Sequence, residues 1–333
     1  MNTTAVLGAG SWGTALAVHL ARAGHCVRLW ARDGALVEEI RATRENGRYL
    51  PGVAMPDVIA ATGSLEEAVS DAKFVIVAVP SHGLRAVVRR AAPYLAEQAI
   101  LVSATKGIEV DSLQRMSQVI DSEADGSRAT VVLSGPSFAI EVARGLPTAV
   151  LAASTDSRAA AAVQEHFRGR GLRLYVNEDV AGVEIGGALK NVIAIAAGCV
   201  EGLGLGHNAL AALITRGLAE MSRLAMAEGG RRDTLAGLSG LGDLVLTCTG
   251  DLSRNRQVGI ELGRGRRLEE ILAGMRMVAE GVRTTRAALA LGTRHGLELP
   301  IAAKMQDVLE GRCPPLSAVE ALMLRRQRAE ADG

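Results

Sequence analysis

"TTAVLGAGSWGTALAVHLARAG", residues 3–24, joins strand-like, turn-like and helix-like patterns in one run. It opens with apolar and β-branched residues, the composition of a short buried strand. Gly8, Gly10 and Gly13 then fall in GxGxxG spacing, and "TALAVHLARAG" (14–24) continues with helical periodicity. A strand that enters a glycine turn and leaves it as a helix is the arrangement that holds a pyrophosphate. The turn admits the phosphates close to the backbone, and the free N–H groups of the first helical turn face the anion. Glycine is abundant in this chain, so the spacing gains its weight from context: the flanking strand and helix, and a second strand ending near Asp33, about 20 residues on.

Outward from this turn, short apolar runs alternate with amphipathic stretches up to about residue 176. The strands expected are 3–8, 27–30, 74–80, 100–105, 130–135, 148–153 and 172–176, with helices such as 14–24 and 84–95 between them. Continuous apolar strands alternating with helices predict a mainly parallel sheet covered on both faces, a Rossmann-type doubly wound α/β domain. After residue 177 strand signals nearly vanish. Residues 209–229, 257–265, 284–296 and 317–330 carry helical periodicity separated by Gly or Pro breaks. The expected organisation is a dinucleotide-binding domain over 1–188 and an all-α substrate and catalytic domain over 189–333.

At 333 residues the chain is long enough for two domains. With 37 basic and 36 acidic side chains the net charge is +1, which argues against nucleic acid or a membrane surface as an electrostatic partner and points to a small ligand. Cys26, Cys199, Cys248 and Cys313 show no CxxC pair or metal-ligand spacing, so neither a disulfide framework nor a metal site is expected, and a reducing cytoplasm fits best. The opening "MNTTAVLGAG" lacks the basic flank of a signal peptide, and no membrane insertion is expected.

"LWARDG" (29–34) places Arg32 beside Asp33 at the end of the second strand. A carboxylate there accepts from a ribose 2′-hydroxyl, whereas a guanidinium pairs with a 2′-phosphate. Arg32 comes first, so NADPH/NADP is favoured, with NADH/NAD also accommodated.

The second unusual stretch is "GVEIGGALKNVIAIAAG" (182–198), a helix of small and apolar residues with one ammonium in its middle. Three, four and seven positions from Lys190 stand Gly187, Gly186, Ile193, Ala194 and Ala197, with no carboxylate three or four positions away to pair with. A face this small implies that another backbone or a ligand comes close. Two loops of the first domain, "SATKGIE" with Lys106 and "SGPSFAIE" with Gly135, Ser137 and Ala139, should open at the carboxyl edge of the sheet, where ligands bind in such folds. Taken alone, Lys106 also reads as a solvated lysine and Ser137 as a helix cap. In "GLGDLVLTCTGDLSRNRQ" (240–257), Asp243 and Thr247 lie one helical turn apart. Ser253 can cap the following helix, leaving Arg254 and Asn255 in its first turn, where an anion such as phosphate is favoured.

In these residues the chain resembles the bacterial NAD(P)-dependent sn-glycerol-3-phosphate dehydrogenases over nearly its whole length. The resemblance is carried by "GAGSWGTALA", "VPSH", "ATKGIE", "SGPSFA.E", "GGALKNVIAIAAG", "ITRGLAEM", "GLGDLVLTCT", "SRNR" and "VAEG", in that order. It implies reversible reduction of dihydroxyacetone phosphate to sn-glycerol 3-phosphate, supplying glycerophospholipid synthesis. Lys190 would be the general acid/base, with Asp243 and Asn191 beside it. Lys106, Gly135, Ser137, Lys190, Asp243, Ser253, Arg254 and Asn255 would meet the substrate. Ser11, Trp12, Arg32, Asp33, Tyr49, Lys106, Ala139, Val278 and Glu280 would meet the cofactor, with Arg254 near it. Two other readings stay open on the residues alone: a two-domain hydroxyacid or ketoacid dehydrogenase with a catalytic lysine, and a non-catalytic dinucleotide sensor. Exposed apolar helix faces, if present, would allow a homodimer.

Overall fold

In a computed structural model of the protein, residues 3–275, 278–327 and 329 are described. The chain divides into two compact units, Met1–Lys106 with Met116–Val180, and Gly107–Arg115 with Ala181–Gly333. The expected division at 188/189 lies inside a single helix, Val180–Gly202, whose continuous hydrogen bonding keeps residues 181–188 with the second unit. Residues 107–115 also join that unit, as a loop closed by an Ile108–Arg115 bridge and tied by Arg115 to the buried carboxylate of Glu184 at 2.5 Å.

The first unit is an eight-stranded sheet: β1 Thr3–Leu7, β2 Cys26–Trp30, β3 Ile59–Thr62, β4 Phe74–Val77, β5 Ile100–Ser103, β6 Thr130–Ser134, β7 Thr148–Ala153 and β8 Leu172–Asn177. Their order is β3-β2-β1-β4-β5-β6-β7-β8, parallel throughout except for the β6–β7 pair. Helices α1 Ser11–Arg22, α2 Gly34–Thr43, α3 Leu65–Val69, α4 Ser81–Ala91, α5 Met116–Glu123, α6 Ala139–Arg144 and α7 Ser157–His166 connect the strands. Strand runs such as "FVIV" of β4 are buried at every position because helices cover both faces, which is why they read as continuous apolar stretches. One core lies on each side of the sheet. Leu16, Leu29, Ile76 and Val131 belong to one, Leu7, Val75, Leu101 and Ile120 to the other.

The seven expected strands all form. The helix expected over 84–95 begins earlier, at Ser81, and gives way at Ala91 to a tighter 3₁₀ turn, Ala92–Tyr94. Pro93 lacks the N–H that an α-helical continuation needs.

The second unit is helical. It comprises α8 Val180–Gly202, α9 Gly206–Ala227, α10 Arg232–Ala236, α11 Asp243–Thr249, α12 Arg254–Gly263, α13 Leu268–Ala273, α14 Glu280–Arg294, α15 Pro300–Leu309 and α16 Pro315–Met323. The helix expected over 317–330 is thus shorter, and residues 328 and 330 lie outside those described. α8 is its axis: every residue from Gly182 to Val200 is buried. By length and hydropathy α8 could span a membrane, but its most apolar window is wholly covered by this fold. Backbones press directly on it. A Cβ added at Gly259 would lie 1.9 Å from the Ile195 carbonyl oxygen, and one at Gly281 would lie 2.5 Å from that of Asn191. The glycines and alanines of this stretch are therefore contact surfaces for α12 and α14.

Candidate active site

In the first unit the glycine turn follows β1 and opens α1. Gly8 sits at φ +118°, a conformation L side chains rarely adopt, and its Cβ would strike the Ala78 carbonyl oxygen at 2.7 Å. A Cβ on Gly13 would lie 1.9 Å from the Gly8 oxygen, so only glycine lets α1 start so close to the strand. Gly10 differs, since among the described residues nothing stands within 4 Å of where its Cβ would be. That open position, followed by the N–H groups of Ser11 and Trp12 and by no side-chain cap, is the cradle a pyrophosphate fits. Asn46, which the sequence did not single out, braces the turn: its buried amide donates to the Ala9 carbonyl at 2.9 Å and to the Thr14 hydroxyl at 2.8 Å. The same side chain accepts from the Tyr49 N–H at 3.1 Å, which ties the Tyr49 segment to the turn.

Of the adjacent Arg32 and Asp33, the aspartate is engaged by local bonding. The Asp33 carboxylate caps α2, accepting from the Ala35 N–H at 3.0 Å, and pairs with Arg48 at 2.5 Å. These partners, Arg48 first, hold its carboxyl below the usual range. Arg32 stands exposed beside it.

At the carboxyl ends of β5 and β6, Lys106, Gly135 and Ser137 converge on one atom. The Lys106 ammonium donates to the Gly135 carbonyl at 3.0 Å and the Ser137 hydroxyl donates to the same oxygen at 2.9 Å. Ser137 does not cap α6, which begins beyond Phe138 with Ala139 as its first residue.

In the second unit, α8 and α11 bring Lys190 against Asp243. The ammonium donates to the Asp243 carboxylate and, at 2.9 Å, to the Thr247 hydroxyl, which itself donates to the Asp243 carbonyl at 2.6 Å. Asp243 is wholly buried and Lys190 only 7% exposed. A charge pair so buried is tolerated because a hydroxyl shares the load. Asn191, the next residue of α8, accepts at Oδ1 from the Asn255 amide at 2.9 Å, and Asn255 in turn accepts from the Gly281 N–H at 3.0 Å. This chain of bonds locks α8, α12 and α14 together beside the lysine.

Ser253 caps α12 by accepting from the Arg256 N–H at 3.2 Å, so Arg254 and Asn255 occupy its first turn as expected. The exposed Arg254 guanidinium donates to the Val278 carbonyl at 3.0 Å, which places it against the start of α14, where Glu280 is the first residue. The second unit thus gathers Lys190, Asn191, Asp243, Ser253, Arg254, Asn255, Val278 and Glu280, and the first gathers the cofactor-turn and Lys106 groups. Among the described residues, no group of three or more His, Cys, Asp or Glu side chains is placed to hold a metal.

A doubly wound nucleotide-binding sheet with a pyrophosphate cradle, coupled in one chain to a helical unit holding a buried lysine–aspartate pair, defines a class: the two-domain dinucleotide-dependent dehydrogenases. Comparison with known proteins gives the particular family. The N-terminal domain of NAD-dependent glycerol-3-phosphate dehydrogenase matches residues 3–160 and its C-terminal domain residues 179–320. The chain is 54% identical over 98% of both chains to a glycerol-3-phosphate dehydrogenase [NAD(P)+] of Geobacter sulfurreducens, and 52% identical over 99% of both to one of Koribacter versatilis. The crystal structure of glycerol-3-phosphate dehydrogenase from Coxiella burnetii superposes with a TM-score of 0.94 at 41% identity, covering 97% of this chain and 99% of that one. This chain belongs to the NAD(P)-dependent glycerol-3-phosphate dehydrogenase family.

Proposed function

We propose that the protein reduces dihydroxyacetone phosphate to sn-glycerol 3-phosphate, reversibly, with NADPH preferred over NADH, in the cytoplasm, and so supplies the backbone of glycerophospholipids. The observation that carries this reading is the buried Lys190 ammonium, held by Asp243 and Thr247 in a chain so similar to enzymes bearing that name.

Bound nicotinamide supplies or accepts the hydride at the substrate's central carbon. As negative charge develops on the carbonyl oxygen, the Lys190 Nζ stabilises it and donates the proton, and in the reverse direction the free amine takes that proton back. Asp243 and Thr247 fix the ammonium's position, so no reorganisation is needed as the charge appears. Arg254, at the positive end of α12, binds the substrate phosphate, and its planar fork suits two phosphate oxygens. That remote binding energy orients the carbonyl. Asn255, whose amide already bonds Asn191 and Gly281, contributes mainly by holding this turn in place.

The NADPH preference rests on Asp33. With its carboxylate engaged by the α2 cap and Arg48, it is poorly disposed to accept from a ribose hydroxyl, while Arg32 is free to meet a 2′-phosphate. The test is the fall in absorbance of NADPH, then NADH, on adding dihydroxyacetone phosphate to purified protein. Oxidation that requires the ketose phosphate and is faster at equal low concentration of NADPH is the expected result. No oxidation by either, or a higher kcat/KM with NADH, overturns the corresponding part.

A further inference from the structure

Between α10 and α11 the backbone makes a π-turn, Leu238–Gly242, in which the Gly242 N–H reaches back five residues to the Gly237 carbonyl at 3.1 Å. Such a turn holds one residue more than an α-turn. An ordinary α-helical path over the same stretch would rotate Asp243 by about 100° around its axis. Two close approaches hold the turn. A Cβ on Gly240 would lie 1.9 Å from the Leu235 carbonyl oxygen, and one on Gly186 would lie 2.8 Å from the Ser239 carbonyl oxygen and 3.1 Å from Leu235 Cδ1. Gly186 precedes Lys190 by one turn of α8, and Ser239 precedes Asp243 by four residues. The point where the two backbones touch is thus one turn from the point where the two charges meet. Ser239 is fully buried, and its hydroxyl has no hydrogen-bond partner among the described residues, so its backbone and not its side chain carries the contact.

We propose that the π-turn Leu238–Gly242, seated on Gly186, is the positioning device that sets the reach of Lys190 to Asp243. Gly186 and Ser239 are positioning residues that act through the ion pair. The inference rests on Lys190 being the proton donor proposed above. Moving the turn away from α8 withdraws the carboxylate from the ammonium. Loss of a nearby negative charge favours the neutral amine, so the alkaline limb of the turnover profile should move to lower pH.

The experiment uses the full chain with NADPH and dihydroxyacetone phosphate between pH 6 and 10. For Gly186→Ala, kcat should fall about tenfold or more while the ketose phosphate KM changes by less than about threefold, the pattern of a lost transition-state interaction. Its alkaline limb should move down by about half a pH unit or more. NADPH binding, followed by the dinucleotide's own fluorescence, should stay as in the wild type. Ser239→Gly removes only a buried hydroxyl that has no partner among the described residues, so this variant should stay folded. It loosens the turn and should move kcat and the limb in the same direction by a smaller amount. Gly230→Ala is the structural control, because its Cβ would meet the Gly182 backbone of the same helix at 2.8 Å. It should lower thermal stability and leave the limb in place.

Wild-type kcat and limb in Gly186→Ala overturn the inference, and if that variant does not fold, the same result in Ser239→Gly does so. An equal limb shift in Gly230→Ala also overturns it. Lys190→Ala, run alongside, separates the two claims. Wild-type turnover there defeats the proton-donor reading itself, whereas an inactive Lys190→Ala beside unaltered Gly186 and Ser239 variants defeats only the positioning role.

Discussion

Asp243→Asn offers a prediction whose magnitude follows from burial. The substitution keeps an oxygen facing the Lys190 ammonium and removes the charge, in a site where the aspartate is wholly buried and the lysine 7% exposed. Breaking a buried ion pair costs about 3–5 kcal/mol, because the remaining charge has no counterion and little water. The loss has a ceiling, since lysine can enter the fold neutral. From an unfolded pKa of about 10.4, giving up the proton costs about 4.6 kcal/mol at pH 7 and about 1.9 kcal/mol at pH 9. In the variant the folded pKa of Lys190 is depressed, so the unfolded chain holds more protons between that value and 10.4. Stability of the variant therefore rises with pH through that window. In the wild type the ammonium has the Asp243 carboxylate as its counterion, so a smaller rise is expected from this group.

The assay is urea unfolding followed by far-UV circular dichroism at pH 7 and pH 9. Because a two-unit chain need not unfold in one step, fluorescence should be recorded in parallel. Trp12 and Trp30 both lie in the first unit, so fluorescence follows the unit the substitution does not touch. The gap between wild type and Asp243→Asn in the helical transition should be about 3–5 kcal/mol at pH 7 and shrink below about 2 kcal/mol at pH 9. A gap that stays constant, or a variant as stable as wild type at pH 7, would refute the buried-pair account.

Three further outcomes are expected. His166, packed between Phe74 and His25 with its Nε2 against the Thr4 hydroxyl, has its pKa pushed by burial down to about 3. Its depressed value means stability is lost as pH falls below about 6.5, by up to about 2 kcal/mol at pH 5, and His166→Gln should flatten that dependence in tryptophan-monitored unfolding. Gly13→Ala should lower NADPH affinity at least about tenfold in a fluorescence titration and destabilise the first unit by over about 1 kcal/mol, because its methyl cannot coexist with the Gly8 carbonyl. Arg32→Ala should raise the KM for NADPH about tenfold and leave that for NADH nearly unchanged, and an equal rise for both would remove Arg32 from 2′-phosphate recognition.

Much of the architecture was legible because burial on both faces of a parallel sheet forces apolar runs that any reading of "FVIV" or "TVVLS" detects. β3, "IAAT", was not, since its two alanines carry little strand preference and the segment is fixed by pairing with β2. The loop at 107–115 gave no sign that it belongs with the helical unit, because its anchor, Glu184, stands far along the chain. Around Lys190 the small residues announced a close approach without saying of what. The answer, backbones of α12, α14 and the π-turn, is long-range packing that periodicity does not encode. Asn46 reads as an ordinary turn asparagine before glycine, and its bond to the Ala9 carbonyl appears only once the chain is folded. The same holds for Asp33, whose partner Arg48 lies on a later loop.

Whether Lys190 donates the proton is read from dihydroxyacetone phosphate-dependent NADPH oxidation by Lys190→Ala beside the wild type, with NADPH binding measured on both. The variant should bind NADPH normally and turn over about 10²–10⁴-fold more slowly. A Lys190→Ala protein with wild-type turnover would contradict it.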